Sequence, residues 1–205
     1  IFAPLNNICV QSAHAKYLPS DWSSPENLSN NTASSMHPRA AVWKDYIHLV
    51  WQDNRDGNYD IYYKRSASSG LMWESEKKVA STSSDSTSPD IAVWENNVHI
   101  VWVEQDGIYY QRSRNNGSVW DYTNPNGRII KFGSGCSNAR IVLNQTNLYI
   151  VWQEADEWSS RIYFNASFNN GDTWSGERCI AECAENPGVA CWNDTIYVVW
   201  QRQGK

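Results

Sequence analysis

Two series of residues recur along the chain at intervals of about fifty positions, and most of them carry charged side chains. Clustered carboxylates and guanidinium groups can bind anionic or polar ligands, and they can shift one another's pKa values toward acid–base use. A solvated set of mutually neutralised ion pairs has the same composition, so both interpretations stay open. The first series, in which the fourth copy has glycine, is Arg39, Asp90, Arg140 and Gly188. The second series is Asp53, Glu104, Glu154 and Arg202.

These residues are positioned by one segment that the chain repeats. Each copy is a polar turn followed by a β-branched and aromatic run that ends in tryptophan, which predicts a β-hairpin. A period of this length, with several short strands in each unit, is typical of a β-propeller blade. The copies are 43–51, 94–102, 144–152 and 192–200.

The predicted architecture is a single all-β domain, a β-propeller of four blades with four antiparallel strands in each. The innermost strands are expected to begin at the four residues of the first series. The fourth blade combines outer strands from 1–30 with inner strands from 186–205, because closing the ring in this way leaves no sheet edge unpaired. If the chain is a fragment of a longer protein, the number of blades stays open. The complete blades are predicted at 37–81, 88–132 and 138–182.

Composition excludes several classes of function. The chain has 12 Trp and 11 Tyr, so its core must be aromatic and β-branched, which favours sheet over helix. A net charge of −5 without a Lys/Arg cluster argues against nucleic-acid binding. No apolar run is long enough to span a membrane. No metal or cofactor is predicted, since no Cys–His spacing fits zinc and the acidic run 53–60 does not fit an EF-hand.

A second motif, Ser-x-(Ser/Asn)-x-Gly-x-x-Trp, follows the third strand of each complete unit. Its short polar side chains can bond the local backbone, its glycine can take a positive φ, and its tryptophan can pack the turn onto the sheet. The motif resembles the Asp box, or BNR repeat, of sialidase-like propellers, with Ser68, Asn115 and Asn169 in place of the box aspartate. The box residues are Ser66, Gly70, Trp73, Ser113, Gly117, Trp120, Ser167, Gly171 and Trp174.

The resemblance implies a ligand site on the channel face, where fourth-to-first and second-to-third strand connections converge. Sialidases bind a substrate carboxylate with three arginines and add an acidic residue and a Tyr–Glu pair. Arg39 and Arg140 are placed for such a role, with Arg202 or Arg55 as a third arginine. However, Arg39 lacks the sequence context of the family's first arginine, no Tyr–Glu pair is evident, and the family's enzymes use six blades.

We therefore predict a non-catalytic extracellular binding or surface-assembly module that recognises a glycan or protein partner. The first alternative is a glycoside hydrolase of sialidase type that uses Arg39 and Arg140 with Glu104 or Glu154. The second is a structural repeat unit of a larger extracellular protein or filament, in which the chain self-associates. Trp158, beside an acid pair in a loop, suits sugar stacking, or it covers the neighbouring blade. The candidate ligand-binding residues are Arg39, Asp53, Arg55, Asp90, Glu104, Arg140, Glu154, Trp158 and Arg202.

Six glycosylation sequons and five cysteines favour a secreted or cell-surface protein. Cys136 and Cys183 hold equivalent positions before their inner strands, so a disulfide between them would tie blade 3 to blade 4. Alternatively, the cysteines are small buried hydrophobic residues, and their odd number leaves at least one thiol unpaired. The sequons begin at Asn27, Asn30, Asn116, Asn144, Asn165 and Asn193.

Overall fold

The computed structural model describes residues 8–10, 23–121 and 127–202. Over these ranges the regular secondary structure is entirely β-strand, as the aromatic and β-branched composition predicts. The strands form three four-stranded and two two-stranded antiparallel sheets. In this part of the chain no helix has the length and apolar character needed to cross a membrane.

The two short strands at the start, β1 and β2, pair with each other, and each later group of four strands pairs in chain order to form one blade. The first pair is β1 (Cys9–Val10) and β2 (Glu26–Asn27). Blade 1 is β3 (Ser35–Trp43), β4 (Tyr46–Asp53), β5 (Asp60–Ser66) and β6 (Lys77–Ala80). Blade 2 is β7 (Thr87–Trp94), β8 (Asn97–Glu104), β9 (Gly107–Ser113) and β10 (Arg128–Phe132). Blade 3 is β11 (Cys136–Asn144), β12 (Asn147–Ala155), β13 (Ser160–Ser167) and β14 (Arg178–Glu182). The last pair is β15 (Ala184–Trp192) and β16 (Thr195–Arg202).

The innermost strands β3, β7, β11 and β15 begin earlier than the sequence predicts. In β3 the pairing with β4 shifts register between Met36 and Arg39, and His37 has φ 52. The strand therefore passes through a bulge at the point where a regular strand was expected to start. The same bulge occurs in each inner strand, with positive φ at His37, Ser88, Asn138 and Asn186.

Strand pairing between the N-terminal and C-terminal half-blades, which was predicted to close the ring, is not detected among the described strands. The pairs β1–β2 and β15–β16 are separate sheets and share no strand pairing. Ile8 and Leu28 pack against Trp51 of blade 1, whereas β15 packs against β11 of blade 3. The two half-blades thus lie at opposite ends of an arc of three complete blades, so the described strands do not fix the number of blades.

Tryptophans that end the second strands form the centre of the core between blades. Trp51, Trp102 and Trp152 are each 0% exposed, while the equivalent Trp200 of β16 is 45% exposed. The difference arises because Trp51 lies under β1–β2 and the other two lie between adjacent blades, while no described strand covers this face of β16.

The box turns of blades 2 and 3 are held by cationic side chains of the preceding blade. From blade 1, Lys77 Nζ donates to Gly117 O at 3.0 Å, and Arg65 donates to Asn116 O of blade 2. From blade 2, Arg128 Nη1 donates to Asp172 O at 2.8 Å in the box of blade 3. These repeated contacts place the box turns at the joints between blades. The boxes are therefore structural at these two joints.

Box glycines also allow a tyrosine of the preceding blade to approach the backbone. A Cβ on Gly117 would lie 2.0 Å from Tyr63 Oη, and one on Gly171 would lie 2.1 Å from Tyr110 Oη. Both glycines have positive φ, so side chains are disfavoured there for two reasons. In blade 3 the equivalent tyrosine position is Phe164.

Candidate functional site

The two faces of the propeller separate as the sequence predicts. On the channel face the connections between strands bond to one another, for example Ser86 N to Tyr59 O at 2.7 Å and Ala155 N to Gly135 O at 3.0 Å. On the opposite face, here called the box face, box turns bond to the tips of the inner hairpins. Ser69 N, for instance, donates to Asp45 O at 2.9 Å.

The first charged series meets on the channel side of the inner strands. Arg39 Nε lies 3.6 Å from Asp90 Oδ1, and Asp90 Oδ2 accepts a hydrogen bond from Ile141 N at 2.9 Å. Burial raises the pKa of Asp90. Burial and the nearby charge of Arg39 lower the pKa of Arg140. Arg39 therefore pairs with Asp90, the charge of Arg140 interacts with both groups, and the cluster carries an excess positive charge.

Beside this cluster lies a group of amides that the sequence analysis missed. Asn138 Nδ2 donates to Asn186 Oδ1 at 3.0 Å, and Asn186 Nδ2 donates to Gln201 Oε1 at 3.2 Å. Gln153 Oε1 accepts from Asn186 N at 2.9 Å, which joins blade 3 to β15. Asn138 and Asn186 occupy the bulges two residues before Arg140 and Gly188. A polar residue at this position in all four units was the available signal.

Asp53, predicted to bind ligand, is instead enclosed by its own blade. Its carboxylate is completely buried and accepts hydrogen bonds from Ser35 Oγ at 2.6 Å, Trp51 Nε1 at 3.2 Å and Arg55 Nε at 2.9 Å. Burial alone would raise its pKa, but these bonds, led by those from Arg55, bring the pKa of Asp53 down to about 2. Asp53 therefore joins the end of β4 to the start of β3 through hydrogen bonds, and its carboxylate is not exposed at the surface.

Glu104 has the same role in blade 2. Its Oε1 accepts hydrogen bonds from Ser86 Oγ at 3.1 Å and Trp102 Nε1 at 2.9 Å, and burial raises the pKa of this carboxyl group. Blade 3 lacks the corresponding hydrogen bond between tryptophan and carboxylate, since Trp152 Nε1 has no hydrogen-bond partner among the described residues. Glu154 pairs there with Lys131 at 3.5 Å.

The remaining predicted arginines lie apart from the first series. Arg55 donates to Asp53, forms an ion pair with Glu76 and stacks over the Tyr62 ring at 4.2 Å, so its guanidinium is committed within blade 1. Arg202 is exposed at the end of β16. The structure brings together Arg39, Asp90 and Arg140, and it does not bring Arg55 to them.

Trp158 is presented to solvent by a fixed loop between β12 and β13. Its side chain is 90% exposed. Asp156 Oδ1 accepts hydrogen bonds from Trp158 N and Ser159 N, both at 2.9 Å, and Asp156 Oδ2 pairs with Arg161 at 2.8 Å. The loop is thus held by its own acidic residue, and the indole does not cover the neighbouring blade.

The repeated tyrosines of the third strands in blades 1 and 2 are hydrogen-bonded to carboxylates. Tyr62 donates to Asp56 Oδ2 at 2.7 Å and Tyr109 donates to Asp106 Oδ1 at 3.1 Å. Burial, followed by these hydrogen bonds, raises the pKa of both tyrosines to about 12. Their hydroxyl groups therefore stay protonated at neutral pH.

Two predictions about covalent modification are corrected by the structure. Cys136 and Cys183 are both free thiols, and Cys136 Sγ turns toward Gly133 O, 3.5 Å away within its own connection. The predicted disulfide is therefore not formed. Asn165 is buried, and its Oδ1 accepts from Ala166 N at 2.8 Å, so the folded chain does not offer this sequon for glycosylation.

The channel face also contains a cavity of about 640 Å³ beside blade 2. Polar groups of the blade 1 to blade 2 connection and of the segment after β8 form its walls. They include Asn58, Ser84, Asp85, Thr87 and Gln105. A cavity of this size and polarity suits a hydroxyl-rich ligand.

Known structures share this fold. Trypanosoma rangeli sialidase, solved with 2,3-difluorosialic acid as a covalent intermediate, matches with a TM-score of 0.59 and 15% identity over 96% of this chain and 37% of that chain. The Hadza microbial sialidase Hz136 matches with a TM-score of 0.58 and 15% identity over 78% of this chain and 40% of that one. A family 117 glycoside hydrolase of Zobellia galactanivorans gives 0.57 and 11% identity over 98% of this chain and 70% of that one.

The chain therefore has a sialidase-like propeller fold and spans about two fifths of the length of the sialidases that it resembles. No protein-family model and no curated protein sequence matches it. At these identities the likeness concerns the fold alone.

Proposed function

We propose that this chain is a glycan-recognition module that binds a carboxylate-bearing sugar on its channel face and does not cleave it. The observation that carries the proposal is the cluster in which Arg39 pairs with the single carboxylate of Asp90 and the charge of Arg140 interacts with both. Because a guanidinium binds a carboxylate with two hydrogen bonds, an acidic sugar would neutralise the excess positive charge of this cluster.

Two neighbouring features support a sugar as the ligand. The amides of Asn138 and Asn186 offer donors and acceptors for hydroxyl groups next to Arg140. Trp158 supplies an exposed aromatic face on the same side of the propeller. Sequons at Asn30 and Asn193 are also exposed, in keeping with the secreted or cell-surface location that we propose.

Catalysis is the second candidate, because several of the structural neighbours are glycosidases. The chain offers weak support for it. Glu104 is held by buried hydrogen bonds, and Tyr62 and Tyr109 donate to aspartates and have raised pKa values. A sialidase of this design would need an ionisable Tyr–Glu pair at the channel.

The test is binding of 3′-sialyllactose to the native chain and to Arg140→Ala by calorimetry. The variant should weaken binding at least about tenfold, since one bidentate contact is lost. Arg178→Ala, an exposed arginine on β14, should bind as the native chain does. Equal affinity in all three proteins, or no binding, would refute the proposal. Release of free sialic acid by the native chain, abolished in Arg140→Ala, would establish the hydrolase instead.

A further inference from the structure

A second cleft lies on the box face, far from the charged cluster. It has a volume of about 380 Å³ and separates the tip of the β3–β4 hairpin from the tip of β7–β8. Neither the repeat pattern nor the channel-face site accounts for it. Its lining consists of Trp43, Lys44, Asp45, Tyr46, Glu95 and Asn96, with Asn116 of the blade 2 box.

Aromatic side chains form one part of the cleft. The Trp43 ring lies 4.5 Å from the Trp94 ring, centroid to centroid, with the planes tilted by 47°. Both indoles are only partly buried, although the tryptophans that end the second strands are completely buried. The two indoles support each other at the hairpin tips and leave apolar ring surface next to solvent. The apolar face of a pyranose packs on ring surface of this kind.

Hydrogen-bonding groups surround this ring surface. Asp45 and Glu95 are exposed in the two turns, and Asp45 is fixed because its Oδ1 accepts from Ser69 Oγ at 2.9 Å. Asn116 Nδ2 donates to Asn96 Oδ1 at 3.2 Å. Asn116 Oδ1 is buried and has no partner among the described residues.

The charge of the cleft selects the class of ligand. The lining contains the carboxylates of Asp45 and Glu95 and the cation of Lys44, and the nearby guanidinium of Arg65 is paired with Glu74 at 2.8 Å, so the local excess is negative. An acidic sugar would be repelled here, whereas the channel face has the opposite charge. Hydroxyl groups of a neutral sugar can donate to both carboxylates without a charge penalty.

We infer that the cleft beside Trp43, whose ring is supported by that of Trp94, is a binding site for a neutral saccharide. The site is independent of the ligand proposed for the channel face and lies on the other side of the propeller. The chain would then hold two sugars of different charge on opposite faces.

The test uses the indole N–H signals in the nitrogen–proton correlation spectrum of the native chain, titrated with lactose. Trp43→Phe and Trp94→Phe each remove and so assign one signal. We expect lactose to shift these two signals and to leave that of Trp158 unchanged. Glu95→Gln, an exposed turn substitution that leaves both rings in place, should weaken lactose binding at least about threefold, because a charged acceptor is replaced by a neutral one.

Leu71→Ala is the matched control, since Leu71 is exposed on the box face and lies outside the cleft. It should bind lactose as the native chain does. Shifts confined to other indoles, the absence of any shift, or unchanged affinity in Glu95→Gln would overturn the inference. None of these results depends on Arg140, so failure here is separable from failure of the channel-face proposal.

Discussion

At the contacts between blades, the distance to a neighbouring side chain determines whether the glycine of a box turn could be replaced by a larger residue. Gly171 must lack a side chain because Tyr110 Oη lies where its Cβ would be, and Gly117 faces Tyr63 in the same way. Gly70 belongs to the same motif, yet a Cβ there would meet Ile47 Cδ1 at 3.4 Å, an ordinary contact. The glycine of the motif thus avoids a steric clash in two boxes, whereas in the third box it is needed only for its positive φ.

We predict that Gly171→Ala lowers the free energy of unfolding by about 3 kcal/mol, because overpacking adds to the strain of its positive φ. Gly70→Ala should cost about 1 kcal/mol, from the backbone alone. Chemical denaturation of both variants measures the difference. If Tyr110→Phe introduced beside Gly171→Ala restored none of the loss, contact with the hydroxyl would not be the cause.

In blades 1 and 2, a buried histidine on the second strand contacts a buried tyrosine on the third strand. His48 Nδ1 lies 2.7 Å from Tyr63 Oη, and His99 Nδ1 lies 2.7 Å from Tyr110 Oη. Burial, with the charges of Arg65 and Arg112, lowers the pKa of His48 to about 4 and that of His99 to about 3. Blade 3 has the uncharged stacked pair Tyr149 and Phe164 instead.

These histidines make stability depend on pH in a defined direction. Their folded pKa values lie below the value near 6.5 of an unfolded chain, so between those values the unfolded state binds more protons. Stability should be complete above pH 6.5 or so and should fall as the pH drops toward about 4. His48 alone accounts for about 3 kcal/mol.

The double variant His99→Tyr/Tyr110→Phe copies the blade 3 pair into blade 2 and should remove roughly half of this acid sensitivity. Denaturation midpoints measured between pH 7 and pH 4 provide the test. An unchanged pH slope in the double variant would contradict the assignment.

Strand positions were predictable where the side-chain pattern alone determines them. The segment 43–51 was predicted to form a β-hairpin, and it contains the turn between β3 and β4 and most of β4. The bulges at His37 and Asn138 were not predicted, although Asn and His are enriched at positive φ and a polar residue holds this position in every unit. Asp53 was predicted at a surface, yet Trp51 and Ser35 enclose it through contacts that only the folded blade creates.

Across the whole molecule, burial decreases from the central blade toward β16. Every residue of β9 is buried, while most of β16 is exposed. The closing tryptophan of β16 is uncovered, whereas those of the three blades are enclosed. Compared with the three complete blades, the half-blade β15–β16 therefore has the least apolar packing to lose on opening.

We predict that amide hydrogens of β15–β16 exchange at least about tenfold faster than those of β8–β9 under native conditions. Exchange followed by mass spectrometry at low protein concentration measures this difference. Equal protection would mean that another surface covers β16. If that protection rose with protein concentration, the covering surface would be a second copy of the chain.

The hydrogen bonds that join blades 1 and 2 to the next box turn affect which changes of sequence the fold tolerates. Lys77 and Arg128 hold the next box through main-chain carbonyl oxygens, which every residue type supplies. Substitution of the box side chains that they span therefore leaves the joint intact, whereas insertion or deletion of a residue would move the carbonyls out of reach. Mutation can then replace side chains of the box turns while the spacing that positions their carbonyl groups is preserved.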